Sequence, residues 1–364
     1  MVTLTAPSRN SPNRQVEARD KGGMTPYKSL DPQTVLDAFQ AAGLEPDGRL
    51  LQLNSYENRV YLAHLEDGRA IVAKFYRPGR WSDAQILEEQ DFAAELAAAD
   101  LPVSAPLTLA QSPGAVGLSL SGQPLTLGHF TNSADETFRF AVCLRRAGRG
   151  PELEQPATLS WLGRLIGRMH AVGARRPFIH RRTLDADTYG HQARQRLIDG
   201  GFVASQQEGG WLAASAAALA AIDRRFEQLG PVKSLRLHGD CHPGNVLWRD
   251  EGDDAGPHFV DLDDACMGPA VQDLWMLLPG EREGTEAALA CLLDGYCSFM
   301  DFDRRELSLI EPLRTLRMIH HSAWLAERWT DPAFPAAFPW FGTSAYWQQQ
   351  TTQLQEQLER MAEA

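Results

Sequence analysis

His238-Gly239-Asp240-Cys241-His242-Pro243-Gly244-Asn245 is the densest polar cluster of the chain. Short apolar runs flank it, Leu235-Arg236-Leu237 on one side and His258-Phe259-Val260 on the other. Runs of this kind predict β-strands, so the octet reads as a loop held between strands. Functional side chains are often presented on loops with such rigid support. A second polar cluster, Asp261-Leu262-Asp263-Asp264, follows the second run directly. Two clusters that each leave a strand can face one another across a single cleft.

The residue types fit phosphoryl transfer. That reaction needs a carboxylate to take the proton of the attacking hydroxyl, and hard oxygen ligands for a Mg²⁺ ion bridging the phosphates of ATP. Asp240 supplies the first and Asn245, in the same loop, one of the second; Asp261 completes the metal site. The spacing from Asp240 to Asn245 matches that of the protein-kinase catalytic loop. Two plainer readings compete. Asp and Asn also make ordinary Asx turns, and His238, Cys241 and His242 are zinc-ligand types, although zinc sites usually show better-spaced thiol and imidazole ligands.

Upstream, Ala70-Ile71-Val72-Ala73-Lys74-Phe75-Tyr76 reads as a strand. Lys74 sits where a kinase lysine reaches the α- and β-phosphates, although a strand lysine is more often a guard of an exposed edge. Its partner carboxylate is expected from the next helix, which Ser82 caps. Glu88 and Glu89 are the candidates, and Glu89 is preferred because it shares the face of Phe92 and Leu96. The turn expected to cover the phosphates, Asn54-Ser55-Tyr56-Glu57-Asn58-Arg59, lacks the glycines usual there. Ser55 and neighbouring amides are its candidate phosphate donors. Asp273, at the start of a later helix, is locally a simple helix-start charge; in kinase-like folds an Asp at this place braces the catalytic loop, and that role is expected of it.

The texture of the chain changes along its length. Residues 1–27 are polar and aperiodic and predict a flexible tail, with Met24 near its end as an alternative start. Asp31-Pro32 opens a helix. Strands are expected at Leu51–Leu53, Val60–Leu62 and Ala70–Tyr76, then around Leu107, Leu118 and Phe138–Leu144. Residues 28–144 thus form a β-rich, nucleotide-binding lobe. Arg145–Pro151 is a connector, and residues 145–364 form a mainly helical lobe with the catalytic loop, metal site and substrate side. The fold class is α+β, bilobal and protein-kinase-like.

Composition bounds the partners. The 364 residues carry 35 Lys plus Arg against 47 Asp plus Glu, a formal charge of −12. Such an acidic chain is poorly suited to nucleic acid or an anionic membrane over a broad surface; local basic patches remain open at Arg175-Arg176 and Arg181-Arg182. Five cysteines without a CxxC pair argue against a disulfide framework. With neither a secretory signal nor an apolar run of membrane-spanning length, the expectation is a cytoplasmic protein.

The blocks NSYENRVY, VAKFYRPGRW, QILEEQDFA, RLHGDCHPGNVLWRD, FVDLDDACMGPAVQDLWMLL and DPAFPAAFPW resemble the bacterial stress response kinase A family. These are Ser/Thr protein kinases with an aminoglycoside-phosphotransferase/choline-kinase-like fold. The resemblance runs from about Tyr27 to Trp347. It implies Asp240 as proton acceptor, Asn245 and Asp261 as Mg²⁺ ligands with Asp261 also catalytic, and Ser55 as an ATP contact. It further implies a cytoplasmic monomer that phosphorylates Ser/Thr of a protein, itself included. The catalytic loop alone serves a small-molecule kinase for an aminoglycoside, choline or homoserine equally well. A nucleotide-binding pseudoenzyme is disfavoured by the joint presence of Lys74, Asp240, Asn245 and Asp261.

Overall fold

A computed structural model describes residues 26–110, 125–252, 255–279 and 284–363. The expected tail, Met24 and the strand near Leu118 lie outside the described residues, apart from the tail's last two positions.

Asp31 caps helix α1 (Pro32–Ala41) by accepting the Thr34 N–H at 2.7 Å, with Pro32 supplying a pre-set φ in the first turn. Three strands follow: β1 (Pro46–Leu53), β2 (Arg59–Leu65) and β3 (Ala70–Phe75). Helix α2 (Asp83–Ala98) opens with a capping box in which Ser82 and Gln85 satisfy each other's backbone donors. Strands β4 (Gly128–Thr131) and β5 (Thr137–Leu144) complete an antiparallel sheet of order β1-β2-β3-β5-β4. Alternation along β3 sends Ile71, Ala73 and Phe75 into the core with Phe39 of α1. Lys74 therefore stands on the other face. A full strand at Leu107 does not form; Pro106 makes only an isolated bridge to Cys143, and prolines cannot donate to a ladder.

The second part is helical around two short ladders. Helices α3 (Pro156–Gly173), α4 (Gln192–Asp199) and α5 (Glu208–Leu229) precede β6 (Leu235–Leu237), β7 (Val246–Arg249), β8 (Gly256–Phe259) and β9 (Cys266–Gly268). The two strands expected around the polar loop do not pair with each other: β6 pairs with β9, and β7 with β8. The Asp240 loop thus spans from one ladder to the other. Helices α6 (Val271–Trp275), α7 (Thr285–Tyr296), α8 (Ile310–Glu327), α9 (Ala333–Ala337) and α10 (Ser344–Glu363) finish the chain.

Two features join the parts. Phe92 and Leu96 of α2 belong to the same buried cluster as α3 and α5, so α2 packs onto the helical part. Helices α3 and α7 meet backbone to backbone, since a Cβ on Gly163 would fall 2.1 Å from the Leu292 carbonyl oxygen.

Candidate active site

The loop after β6 is shaped by a buried carboxylate. Asp273, at 0% exposure, accepts the backbone N–H groups of His238 and Gly239, each at 2.8 Å. His170 Nε2 donates to the same carboxylate at 3.0 Å, and the Tyr296 hydroxyl meets His170 Nδ1 at 3.0 Å. Gln272 holds the Gly239 carbonyl at 2.9 Å. Gly239 has φ +83, and a Cβ there would lie 2.2 Å from the Asp264 carbonyl oxygen; only glycine fits. The brace expected of Asp273 is thus present.

Asp240 emerges from this support. Its Oδ1 takes a 2.5 Å contact from Arg317 Nη1 of α8, and its Oδ2 lies 3.4 Å from His242 Nε2. Burial pushes the carboxyl's pKa up, but the His242 hydrogen bond and the Arg317 charge outweigh it and hold the group well below the usual range. It is an anion at neutral pH. Asn245 Nδ2 donates to the Asp240 carbonyl at 3.0 Å, which leaves the carboxamide oxygen as the atom for a hard cation.

The Val260 N–H donates to the Asn245 carbonyl at 3.0 Å, fastening the second acidic cluster to the first. Asp261 follows with φ 61, a left-handed conformation uncommon for a residue with a side chain. Its carboxylate is 51% exposed and 2.6 Å from Lys74 Nζ. Asp263 is buried; Arg80 Nη1 lies 2.5 Å and Asn58 Nδ2 3.0 Å from its Oδ2. Its Oδ1 has no hydrogen-bond partner and lies 3.6 Å from the Lys74 ammonium. Burial opposes the charge on Lys74, but Asp261 and Asp263 reverse that and raise its pKa well above the ordinary value.

The helix carboxylates divide the work. Glu88 accepts the backbone N–H groups of Ile179, His180 and Arg181, tying α2 to the helical part. Glu89 is buried; burial pushes it up to about 7, against the pull of Lys74. Among the described residues the ion pairs of Lys74 go to Asp261 and Asp263 rather than Glu89. The expected Lys74–Glu89 pair is therefore an electrostatic neighbourhood, not a contact. Asp261 takes a hydrogen bond from the ammonium, and Asp263 flanks it at 3.6 Å.

Ser55, Asp240 and Asp261 line one cavity of about 390 Å³. The turn bearing Ser55 is held by Glu57, whose Oε2 meets Arg328 Nε at 2.5 Å and Trp324 Nε1 at 2.6 Å. Arg77 Nη2 donates to the Tyr56 carbonyl at 3.2 Å and to Asp331 at 2.7 Å. Asn58, Arg80, Asp263, Arg317 and Arg328 are site residues that the motif reading passed over. Asp263 belongs to the acidic cluster, Asn58 to the Ser55 turn and Arg80 to the segment VAKFYRPGRW; Arg317 and Arg328 carry no local signal.

The donor set suits a hard divalent cation. Asp261 and Asn245 offer oxygen atoms, and a buried carboxylate oxygen of Asp263 waits nearby without a hydrogen bond. Among the described residues no three of His, Cys, Asp and Glu converge as a cage. Mg²⁺ is usually held by one or two carboxylates with substrate phosphates and water, not by an all-protein cage. The zinc reading fails: His238 donates to the Val260 carbonyl, His242 faces Asp240, and Cys241 is fully buried. Burial raises the Cys241 thiol well above its ordinary pKa, the condition of an inert core thiol.

The sequence profile of the phosphotransferase enzyme family matches residues 49–310. Stress response kinase A of Escherichia coli (strain K12) is 42% identical over 337 residues, 93% of this chain and 95% of the relative. A protein of Salmonella typhimurium (strain LT2) described as serine/threonine protein kinase RdoA is 41% identical, covering 91% of this chain and 93% of its own. Among solved structures, a microcompartment-associated aminopropanol kinase superposes with TM-score 0.67 at 16% identity, over 91% of this chain and 98% of that one. Amicoumacin kinase in complex with AMP-PNP and Ca²⁺ gives 0.66 at 20% identity, over 91% and 93%. These two likenesses concern the fold, a bilobal α+β kinase-like architecture. On the extent of the family match and of the close relatives, the chain belongs to the phosphotransferase enzyme family, among the stress response kinase A proteins.

Proposed function

We propose that this chain is an ATP-dependent Ser/Thr protein kinase of the stress response, with Asp240 as proton acceptor and Asn245 and Asp261 as ligands of Mg²⁺. The observation that carries this reading is that Asp240 and Asp261 line one cavity, with Lys74 2.6 Å from Asp261. Bound Mg²⁺ would neutralise charge on the transferring phosphoryl group. Asp240 would hold the acceptor hydroxyl and take its proton, kept anionic until then by His242 and Arg317. Lys74 and the Ser55 turn would steady the phosphates, and the charge of Glu89 would favour the Lys74 ammonium. Residues 28–144 would act as the nucleotide lobe and 145–364 as the catalytic lobe, with protein acceptors that include the chain itself.

The close relatives named as stress response or Ser/Thr protein kinases support the protein acceptor. A second reading, a kinase for a small alcohol, draws on the aminopropanol and amicoumacin kinases of like fold. We further propose a cytoplasmic monomer that binds neither nucleic acid nor membrane. No helix among the described residues is long and apolar enough to cross a membrane. Incubation with labelled ATP, first alone and then with cell lysate, tests the choice. Label in the chain or in other proteins supports the protein kinase; label confined to small metabolites supports the second reading.

A further inference from the structure

Arg317 rests on Asp240 Oδ1 with 45% of its side chain exposed. That contact competes with an acceptor hydroxyl for the lone pairs of Oδ1. A displaced guanidinium then needs another anion, and each carboxylate of the cavity wall is already ion-paired, Asp261 with Lys74. Glu57 is engaged by Arg77 at 3.0 Å and by Arg328. Asp263 and Asp264 are both held by Arg80. Glu327 is shared by Arg196 at 2.7 Å and Arg328 at 3.0 Å.

One cation of the wall is left over. Arg182 lies with its guanidinium 4.6 Å from the Trp81 ring centre and has no carboxylate partner among the described residues. Beside it, the ring of His320 packs 4.4 Å from Tyr189, and its buried Nδ1 has no hydrogen-bond partner. Burial and the charges of Arg182, Arg196, Arg328 and Arg317 push His320 down to about 3. Four arginine charges therefore act around His320, although the chain as a whole is acidic. A site for a cationic amine would be expected to show unpaired carboxylates instead.

We propose that the part of the cavity bounded by Arg182, His320 and Arg317 is a subsite for an anionic group, a carboxylate or a phosphate, carried by the acceptor close to the hydroxyl served by Asp240. The proposal rests on the protein-kinase reading and names its substrate class, acidic or already phosphorylated segments. Arg317 would pass from Asp240 to the acceptor's anion, so that a matching acceptor uncovers its own proton acceptor. Arginine forks suit both anions.

The test uses the full chain, labelled ATP and serine peptides that differ only in flanking Glu, phosphoserine or Lys. The acidic peptides are expected to exceed the Lys peptide by about tenfold in kcat/KM, the scale of one charge-assisted contact. The Glu and phosphoserine arms separate carboxylate from phosphate. Arg182→Glu should abolish or invert the preference mainly through KM, while Arg182→Lys should keep most of it. If the reversal variant does not fold, Arg317→Gln should still narrow the preference. Equal use of acidic and basic peptides, or an unchanged preference in Arg182→Glu and Arg317→Gln, overturns the subsite and leaves the protein-kinase reading standing. Label in small alcohols and in no peptide overturns the protein-kinase reading instead. An anionic hydroxy acid preferred over an amino alcohol would then support the subsite, and the reverse order would sink it.

Discussion

The Asp273 carboxylate accepts the Gly239 N–H at 2.8 Å, one residue before the proposed proton acceptor, and so ties Asp240 to the helical core. Asp273 also serves His238 and His170, so its replacement strands three donors at a site with no exposure. Asp273→Ala is expected to destabilise the fold by about 3 kcal/mol, the cost of leaving buried donors unpaired. Thermal unfolding measures this directly. Asp273→Asn should retain part of the stability but lose most turnover, because an amide presents one acceptor where the loop uses two.

Asp240→Ala removes the proton acceptor and leaves the Asp261–Lys74 side intact. Turnover is expected to fall by about 10²–10⁴-fold, the usual range for a positioned general base, with nucleotide affinity largely kept. Asp261→Ala should weaken metal-dependent ATP binding as well. Labelled-ATP turnover paired with nucleotide titration checks both, and full turnover by Asp240→Ala would exclude the assignment.

Glu306 accepts the Val271 N–H at 3.0 Å while almost wholly buried. Burial pushes it up to about 7, in spite of that hydrogen bond. The folded state therefore holds this proton more tightly than the unfolded chain does. Stability is expected to fall as pH rises from about 4.5 to 7, by at most about 3 kcal/mol from this group. Glu89 contributes with the same sign. Glu306→Gln keeps an acceptor for Val271 and should flatten the pH dependence, read from denaturant unfolding at several pH values. An unchanged slope would remove Glu306 from the account.

Gly163 sets how closely α3 and α7 approach. A Cβ there would meet the Leu292 carbonyl oxygen at 2.1 Å, and one on Gly295 would meet the Ser160 carbonyl oxygen at 2.0 Å. Both obstacles are backbone, which cannot swing aside. Gly163→Ala is expected to cost about 2 kcal/mol or more, in spite of alanine's better helix propensity. Thermal unfolding checks the sign.

The sequence by itself determined the parts whose signals are local. The interval from Asp240 to Asn245 lies within one loop. The alternation of β3 assigns Lys74 to the face opposite Phe75. The caps at Asp31 and Ser82 depend on neighbours a single turn away. Each is set by backbone geometry over a few residues, which is what sequence periodicity and capping rules describe. Only the tertiary structure decided that β6 pairs with β9, that Glu88 anchors α2 while Glu89 stays beside Lys74, and that Arg317 covers Asp240. Arg317 lies 77 positions from Asp240, and Arg328 lies 271 from Glu57. Such pairs exist because helix packing closes long loops and brings charges together in a poorly solvated cavity. Their geometry depends on the whole core, and no local pattern records it.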